Sequence, residues 1–272
     1  MTGIILFKTA LVVYFAAACV YGVSLWGKRV FPARLAAGLL FAALLTHTLS
    51  FVARWFSSGE PMVIGLYDAL SMFAWVMTAV YLLLQVKTKT RVLGAFLSPP
   101  ICLLMVVASI GLGGDVHAPP ILRGFLVTAH VVLSVAGEAL FAVASCAGLI
   151  YLIQDGLIRR KKSGKWSRLL PSLGDLDRIN HLCLLWGVPL LTLGGLAGSF
   201  WARIVWGSHW QWDPKQTWTL LAWVCYAFLL HQRLAIGWRG RTAARWSLAV
   251  FVVLFVLLMA AMPLFGTLHR FV

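Results

Sequence analysis

Apolar residues fall in long unbroken runs along this chain, separated by short polar stretches. Eight such runs occupy roughly residues 4–26, 33–54, 66–86, 93–112, 122–153, 180–202, 217–236 and 246–265. A helix rises about 1.5 Å per residue, so about 20 apolar residues cross a hydrocarbon core of roughly 30 Å. Barrel strands would alternate apolar and polar positions over about 10 residues, and these runs do not. The pattern predicts an all-α fold, a polytopic membrane helix bundle of about eight transmembrane helices, with residues 1–272 as a single integral membrane domain. The fifth run is too long for a simple crossing, which predicts a tilted or projecting helix. The first, "IILFKTALVVYFAAACVYGVSLW", has no A-x-A-like cleavage site and reads as a retained helix.

Charge orients the bundle. One set of connections carries "GKRVFPAR", "KTKTR", "RRKKSGKWSR" and "RLAIGWRGRTAAR"; the other carries "FSSGEPMVIGLYD", "GGDVHAPP", a tryptophan-rich stretch and the tail "GTLHRFV". The positive-inside rule puts the first set in the cytoplasm. In a bacterial cytoplasmic (inner) membrane, both termini and the tryptophan-rich stretch are then expected outside. Residues 154–180 are expected to form the basic cytoplasmic loop, a topology determinant that also suits a cytoplasmic partner or anionic membrane lipid headgroups.

Composition agrees: 61% of residues are hydrophobic and 11% charged, against about 25% charged in soluble domains. The net charge of +15 raises nucleic acid as a partner. The cations lie in short loops and no soluble domain remains to bind it, so nucleic acid is excluded. Cys19, Cys102, Cys146, Cys183 and Cys225 all sit in apolar runs without CxxC pairing, as small buried hydrophobes do.

The stretch "FWARIVWGSHWQWDPKQTW", residues 200–218, gathers Trp201, Trp206, Trp210, Trp212 and Trp218. An interfacial aromatic belt accounts for any one of them. Five in one segment broken by Gly207 and Pro214 fit better as a platform that receives a flat apolar ligand. Asp213 is expected to cap a short interfacial helix that starts again at Pro214. Arg203 and Lys215 lie where basic residues are scarce. They suit carboxylate recognition, with snorkelling interfacial cations as the alternative.

Depth sorts the seven histidines. His130 falls in the outer part of the fifth run and His269 just after the eighth, so topology brings both to the face with the tryptophans. Two imidazoles facing across a macrocycle would make a six-coordinate haem site; a hydrogen-bonded structural role is the alternative for each. His231 lies at the inner end of the seventh run and His47 within the second. Helix-to-helix hydrogen bonding explains this pair about as well as a second, intramembrane haem site does. His117, His181 and His209 read as non-ligands. Glu138, two turns below His130, and Asp68 are expected to satisfy buried partners.

"WGSHWQWDP" followed by "KQTW", with "LLHQR" after it and "LHRF" at the end, resembles the tryptophan-rich (WWD) haem-handling family. The likeness is greatest to the CcsA/ResC branch of System II cytochrome c biogenesis and its HemX-like relatives. The motif resembles that family's WGxxWxWDPKExW pattern. "THTLSFVARWFSSGEPMVIGLYDALSMFAWVMTAVYL" resembles its early spans, so the likeness covers most of the chain. The resemblance implies that the tryptophan segment holds haem b between His130 and His269. His231 becomes the membrane histidine and His47 occupies an early-span histidine position. Arg203 and Lys215 would meet the propionates. It implies haem transport and presentation to an apocytochrome c CxxCH motif for thioether attachment. The chain would be the membrane subunit of a holocytochrome c synthase, with a separate CcsB/ResB-like partner, rather than a stand-alone enzyme. A HemX-like regulator of tetrapyrrole synthesis and a haem-containing electron-transfer protein are the alternatives. Gln216 stands where the family usually has Glu, and His209 where an aromatic is common.

Overall fold

The computed structural model describes residues 2–26, 30–58, 66–88, 91–111, 124–161 and 170–261. Among these residues there are helices and no strands: α1 Thr2–Trp26, α2 Val30–Ser58, α3 Leu66–Thr88, α4 Arg91–Ile110, α5 Phe125–Arg159, α6 Leu173–Trp206, α7 Pro214–His231 and α8 Gly240–Ala261. All eight are long and apolar enough to cross a membrane. The protein is a multi-pass helical membrane protein, as the runs predicted. Many large apolar side chains, Ile5, Val12, Phe15 and Val23 on α1 among them, remain exposed. Such faces suit a lipid solvent and not water.

The chain divides into two compact units. The first, residues 1–117 and 157–175, holds α1 to α4. Helix α1 buries Phe7, Ala10, Tyr14, Ala17 and Tyr21 at helical spacing, and α2 answers with Ala36, Leu40, Ala43, His47 and Ser50. Alternating large and small residues let the two helices pack along their length. On α4, Leu93, Leu97, Ile101 and Met105 form the stripe that meets α1 and α3. The Tyr21 and Tyr81 hydroxyls share a hydrogen bond of 2.8 Å, and Gly94, having no side chain, leaves the space for both rings. Arg54 and Asp68 pair at 2.8 Å, giving Asp68 the partner expected of it.

The second unit, residues 118–156 and 176–272, holds most of α5 and α6 with α7 and α8. Helix α5 meets each of the others. Gly137 approaches Gly187 and Leu191 of α6, the Phe141 ring stacks on Tyr226 of α7 at 3.5 Å, and Gly148 abuts Ala244 of α8. The Asn180 amide donates to the Ala144 carbonyl at 2.9 Å. Pro189 lies inside α6, as membrane helices tolerate when neighbours satisfy the freed carbonyl.

Several boundaries differ from the sequence reading; α8, for one, begins at Gly240 and not near residue 246. Helix α5 runs on to Arg159 and α6 begins at Leu173, so both ends of the expected 154–180 loop are helical. The polar residues there look like loop by hydropathy, yet they continue the helices. The helix that restarts at Pro214 continues for 18 residues to His231. It is the start of the seventh span and not a separate short interfacial helix.

Candidate functional site

Between α6 and α7 the chain leaves helical geometry at Gly207 and re-enters it at Pro214. Gly207 takes a left-handed φ of 73°, and its N–H closes on the Arg203 carbonyl at 2.9 Å. That end of a helix favours glycine because a Cβ would crowd the following carbonyl. Asp213 is buried and its carboxylate accepts the Lys215 N–H at 2.9 Å, capping α7 with Pro214 at its first position. The cap expected from the Asp-Pro pair is present.

Within this segment the indoles meet edge to face. Trp201 and Trp206 have centroids 5.5 Å apart at 69°, and Trp210 and Trp212 are 5.4 Å apart at 89°. In each pair the edge of one ring meets the face of the other, the geometry that aromatic quadrupoles favour. Trp212 is 74% exposed and holds a left-handed φ of 53°, which side-chain-bearing residues rarely adopt. Trp218, half-buried, lies in the first turns of α7. The Trp210 indole N–H is buried without an acceptor among the described residues. Gln216 braces the turn, its side-chain carbonyl accepting the Gln211 N–H at 2.9 Å. A carboxylate could accept the same bond, so the Gln216 departure leaves the turn intact.

His209 is spoken for. Its Nδ1–H donates to the Ser199 carbonyl at 3.2 Å, and Nε2 accepts from Arg203 at 3.1 Å. Arg203 therefore reaches back into the segment, while the Lys215 side chain is exposed.

His130 lies near the start of α5 and packs on the end of α6 that leads into Trp201. Its Nδ1 lies 2.8 Å from the Gly194 carbonyl. A carbonyl only accepts, so Nδ1 carries the proton and Nε2 keeps its lone pair. This is the tautomer that suits a metal ligand held from behind. His130 is half-buried, and no hydrogen bond involves its Nε2 among the described residues.

His231 ends α7, about 25 Å along the helix from Pro214 at 1.5 Å per residue. Its side chain is exposed and makes no hydrogen bond with the described residues. Directly after it comes a π-helical turn, Gln232–Ile236, closed by Gly237 at φ 81°. Single π-helical turns within α-helices are frequent at functional positions. Arg233 anchors this one. Its guanidinium donates to the Asp177 carboxylate and carbonyl, both at 2.8 Å, to His181 Nδ1 at 3.0 Å and to Asn180 at 3.1 Å. Sequence reading missed this network. An arginine two residues past a histidine in an apolar run was the available signal. Nearby, Trp238 stacks on Trp246 at 5.9 Å and meets Phe228 edge on.

His47 belongs to the other unit and is fully buried. Its Nε2 lies 2.8 Å from Ser71 Oγ, its Nδ1 is 3.4 Å from the Tyr14 hydroxyl, and its ring stacks on Phe51 at 4.6 Å. These contacts tie α2 to α1 and α3. Glu138 has no hydrogen bond or salt bridge among the described residues, unlike the satisfied role expected of it. His117 and His269 lie outside the described residues. The structure thus gathers His130, Arg203 and the tryptophans at one end of the second unit, and puts His231 at the other end of α7.

A polytopic helical membrane protein with an imidazole and an aromatic segment at one end of a helix set, and a second, exposed imidazole at the other, is the class these features define. Residues 63–268 match the family described as Cytochrome C assembly protein, and the chain belongs to that family. It is similar to the cytochrome c biogenesis protein CcsA of Microcystis aeruginosa, with 29% identity over 98% of this chain and 94% of that protein. To the CcsA of Pyropia yezoensis it is 28% identical, over 85% of this chain and 86% of the relative. Among solved structures, the cytochrome c haem lyase CcmF shares the fold with a TM-score of 0.68 at 16% identity. That match covers 99% of this chain and 52% of the lyase, so the chain spans about half the lyase's length.

Proposed function

We propose that this chain carries haem b across the membrane and presents it to the CxxCH thiols of an apocytochrome c. Membership of the cytochrome c assembly family and the likeness to CcsA proteins support a role in haem handling and cytochrome c biogenesis. The observation that carries the finer reading is His130, whose Nδ1–H is tied to Gly194 and whose Nε2 has no hydrogen bond among the described residues, at the end of α6 that leads into the tryptophan segment. Haem, as cargo, would be ligated there by His130 and by His269 from the C-terminal tail. Trp201, Trp206, Trp210, Trp212 and Trp218 would offer ring faces to the macrocycle, and Lys215 and Arg203 would face its propionates. His231, at the far end of α7, is assigned to haem entry. His47 is assigned to packing, since both nitrogens face side-chain oxygens.

Thioether formation is a redox-neutral addition of each thiol S–H across a vinyl group. The protein's share is to hold the macrocycle still and its iron ligated while the thiols approach. The site is read as extracytoplasmic from the basic connections on the opposite side, with residues 200–218 as the haem-binding segment and 154–180 as the cytoplasmic connection. A separate CcsB/ResB-like subunit completes the synthase in this reading.

The test is the visible spectrum of the purified chain with His130, His269, His231 and His47 each changed to Ala. Loss or displacement of the haem bands in the His130 and His269 variants, with His47→Ala retaining them, is expected. Haem that depends on His47 and His231 alone would overturn presentation in favour of electron transfer or sensing. A folded chain that takes up no haem when haem is supplied would overturn the whole reading.

A further inference from the structure

The way His130 is seated singles out two glycines of α6. Gly194 and Gly198 are one turn apart on the face toward α5, and His130 and Ser134 are one turn apart on the face toward α6. A Cβ on Gly198 would lie 2.5 Å from His130 Nδ1, 2.8 Å from Cε1 and 3.1 Å from Cγ. A Cβ on Gly194 would lie 2.5 Å from Ser134 Oγ and 2.8 Å from the Ser134 backbone nitrogen. Any larger residue at either position fills the space the imidazole or its supporting helix now uses. Gly195, between them, has nothing within 4 Å of its Cβ position and could carry a side chain freely.

We propose that Gly198 and Gly194 are positioning residues for His130. Together they form a slot that admits the imidazole edge-first against the α6 backbone, so that Nδ1–H reaches the Gly194 carbonyl and Nε2 is the nitrogen presented to haem iron. The inference rests on His130 being a haem ligand, as proposed above. Its chemical content is narrower. The backbone carbonyl fixes the tautomer, and the absent Cβ at Gly198 fixes the ring's depth. A histidine that sits an ångström further out loses its hydrogen bond first and the direction of Nε2 with it. The Gly-x-x-x-Gly spacing, which elsewhere brings two helix backbones together, here brings a helix backbone against a side chain.

The test compares Gly198→Ala with Gly195→Ala in the haem-loaded full-length chain. Both add one methyl to the same helix, so any change in helix propensity is shared and only the contact to His130 differs. In Gly198→Ala, haem affinity is expected to fall roughly 10–100-fold, the scale of losing a ligand's supporting contact. Its low-spin bands should convert toward high-spin, and added imidazole should restore them. Gly195→Ala should match the unaltered chain in all three respects. If Gly198→Ala matches Gly195→Ala while His130→Ala loses the ligand, the positioning role is wrong and the ligand assignment stands. If His130→Ala itself changes nothing, the ligand assignment has failed. Should Gly198→Ala not be recovered folded, ring-¹⁵N histidine labelling of the unaltered haem-free chain decides. A proton on His130 Nδ1 supports the slot, and one on Nε2 overturns it.

Discussion

Replacing Arg233 by Ala tests the network that holds the π-helical turn after His231. The Arg233 side chain is 4% exposed and spans three residues of α6: Asp177, Asn180 and His181. Truncation removes the only cation within salt-bridge distance of Asp177 among the described residues. Breaking a buried pair by deleting one partner costs about 3–5 kcal/mol, because the remaining charge stays desolvated. Two features place this case at the low end. The Asp177 side chain is 23% exposed and keeps the Gly240 N–H at 2.8 Å, and the Asn180 side-chain oxygen keeps Ser247 at 3.4 Å. The expected loss is therefore about 3 kcal/mol, on the order of a hundredfold in the folded-to-unfolded ratio. Arg233→Lys retains charge but not the fork that reaches several acceptors, so it should fall between the two. The assay is unfolding in detergent followed by loss of helical signal. A double-mutant cycle with Asp177→Ala isolates the pair, and a coupling of about 1 kcal/mol or more is expected. Additivity of the two substitutions within about 0.5 kcal/mol would refute the reasoning.

Three further outcomes follow from the geometry. Ser71→Ala should leave buried His47 Nε2 without its partner at 2.8 Å and destabilise the chain by about 1–3 kcal/mol, with haem binding unchanged; a haem-binding defect would return His47 to the ligand set. Asp213→Ala removes the α7 cap and should cost about 1 kcal/mol, whereas Asp213→Asn keeps an acceptor and most of the stability, read in the same unfolding assay. Trp212→Gly should nearly conserve stability, since relief of the left-handed backbone, about 1–2 kcal/mol, offsets the lost edge contact with Trp210. The same variant should release haem faster to apomyoglobin, and an unchanged release rate would count against the indole as a stacking surface.

The eight spans and the capped restart at Pro214 were legible in the sequence, because each depends on residues close in the chain. A run of 20 apolar residues has one cheap conformation in lipid, and an Asp-Pro pair carries its own cap chemistry. The break between the sixth and seventh spans at the tryptophan-rich stretch was legible for the same reason, and so was the place of His130 near one end of the fifth span. The ends of α5 and α6 were misplaced because Arg159, Asp175 and Asp177 raise the polarity of turns that remain helical. Hydropathy reports what a residue prefers and not what it pairs with. Asp177 pairs with Arg233, 56 positions away, and no local pattern announces that.

Partnership over distance was left to the tertiary structure. The sequence determined that this chain is a helical membrane protein with a tryptophan-rich segment and a short roster of histidines. Only the fold decided which partners the described imidazoles take. His47 turns both nitrogens to oxygens, His209 bridges Ser199 and Arg203, and His181 accepts from Arg233. His130 is held at Nδ1 by a carbonyl 64 residues away, with no hydrogen bond to Nε2 among the described residues. The physical reason is that an imidazole's role is set by which of its two nitrogens is already bonded. For His47, His130 and His181 those bonds come from residues 24 to 64 positions away that only the fold brings within reach.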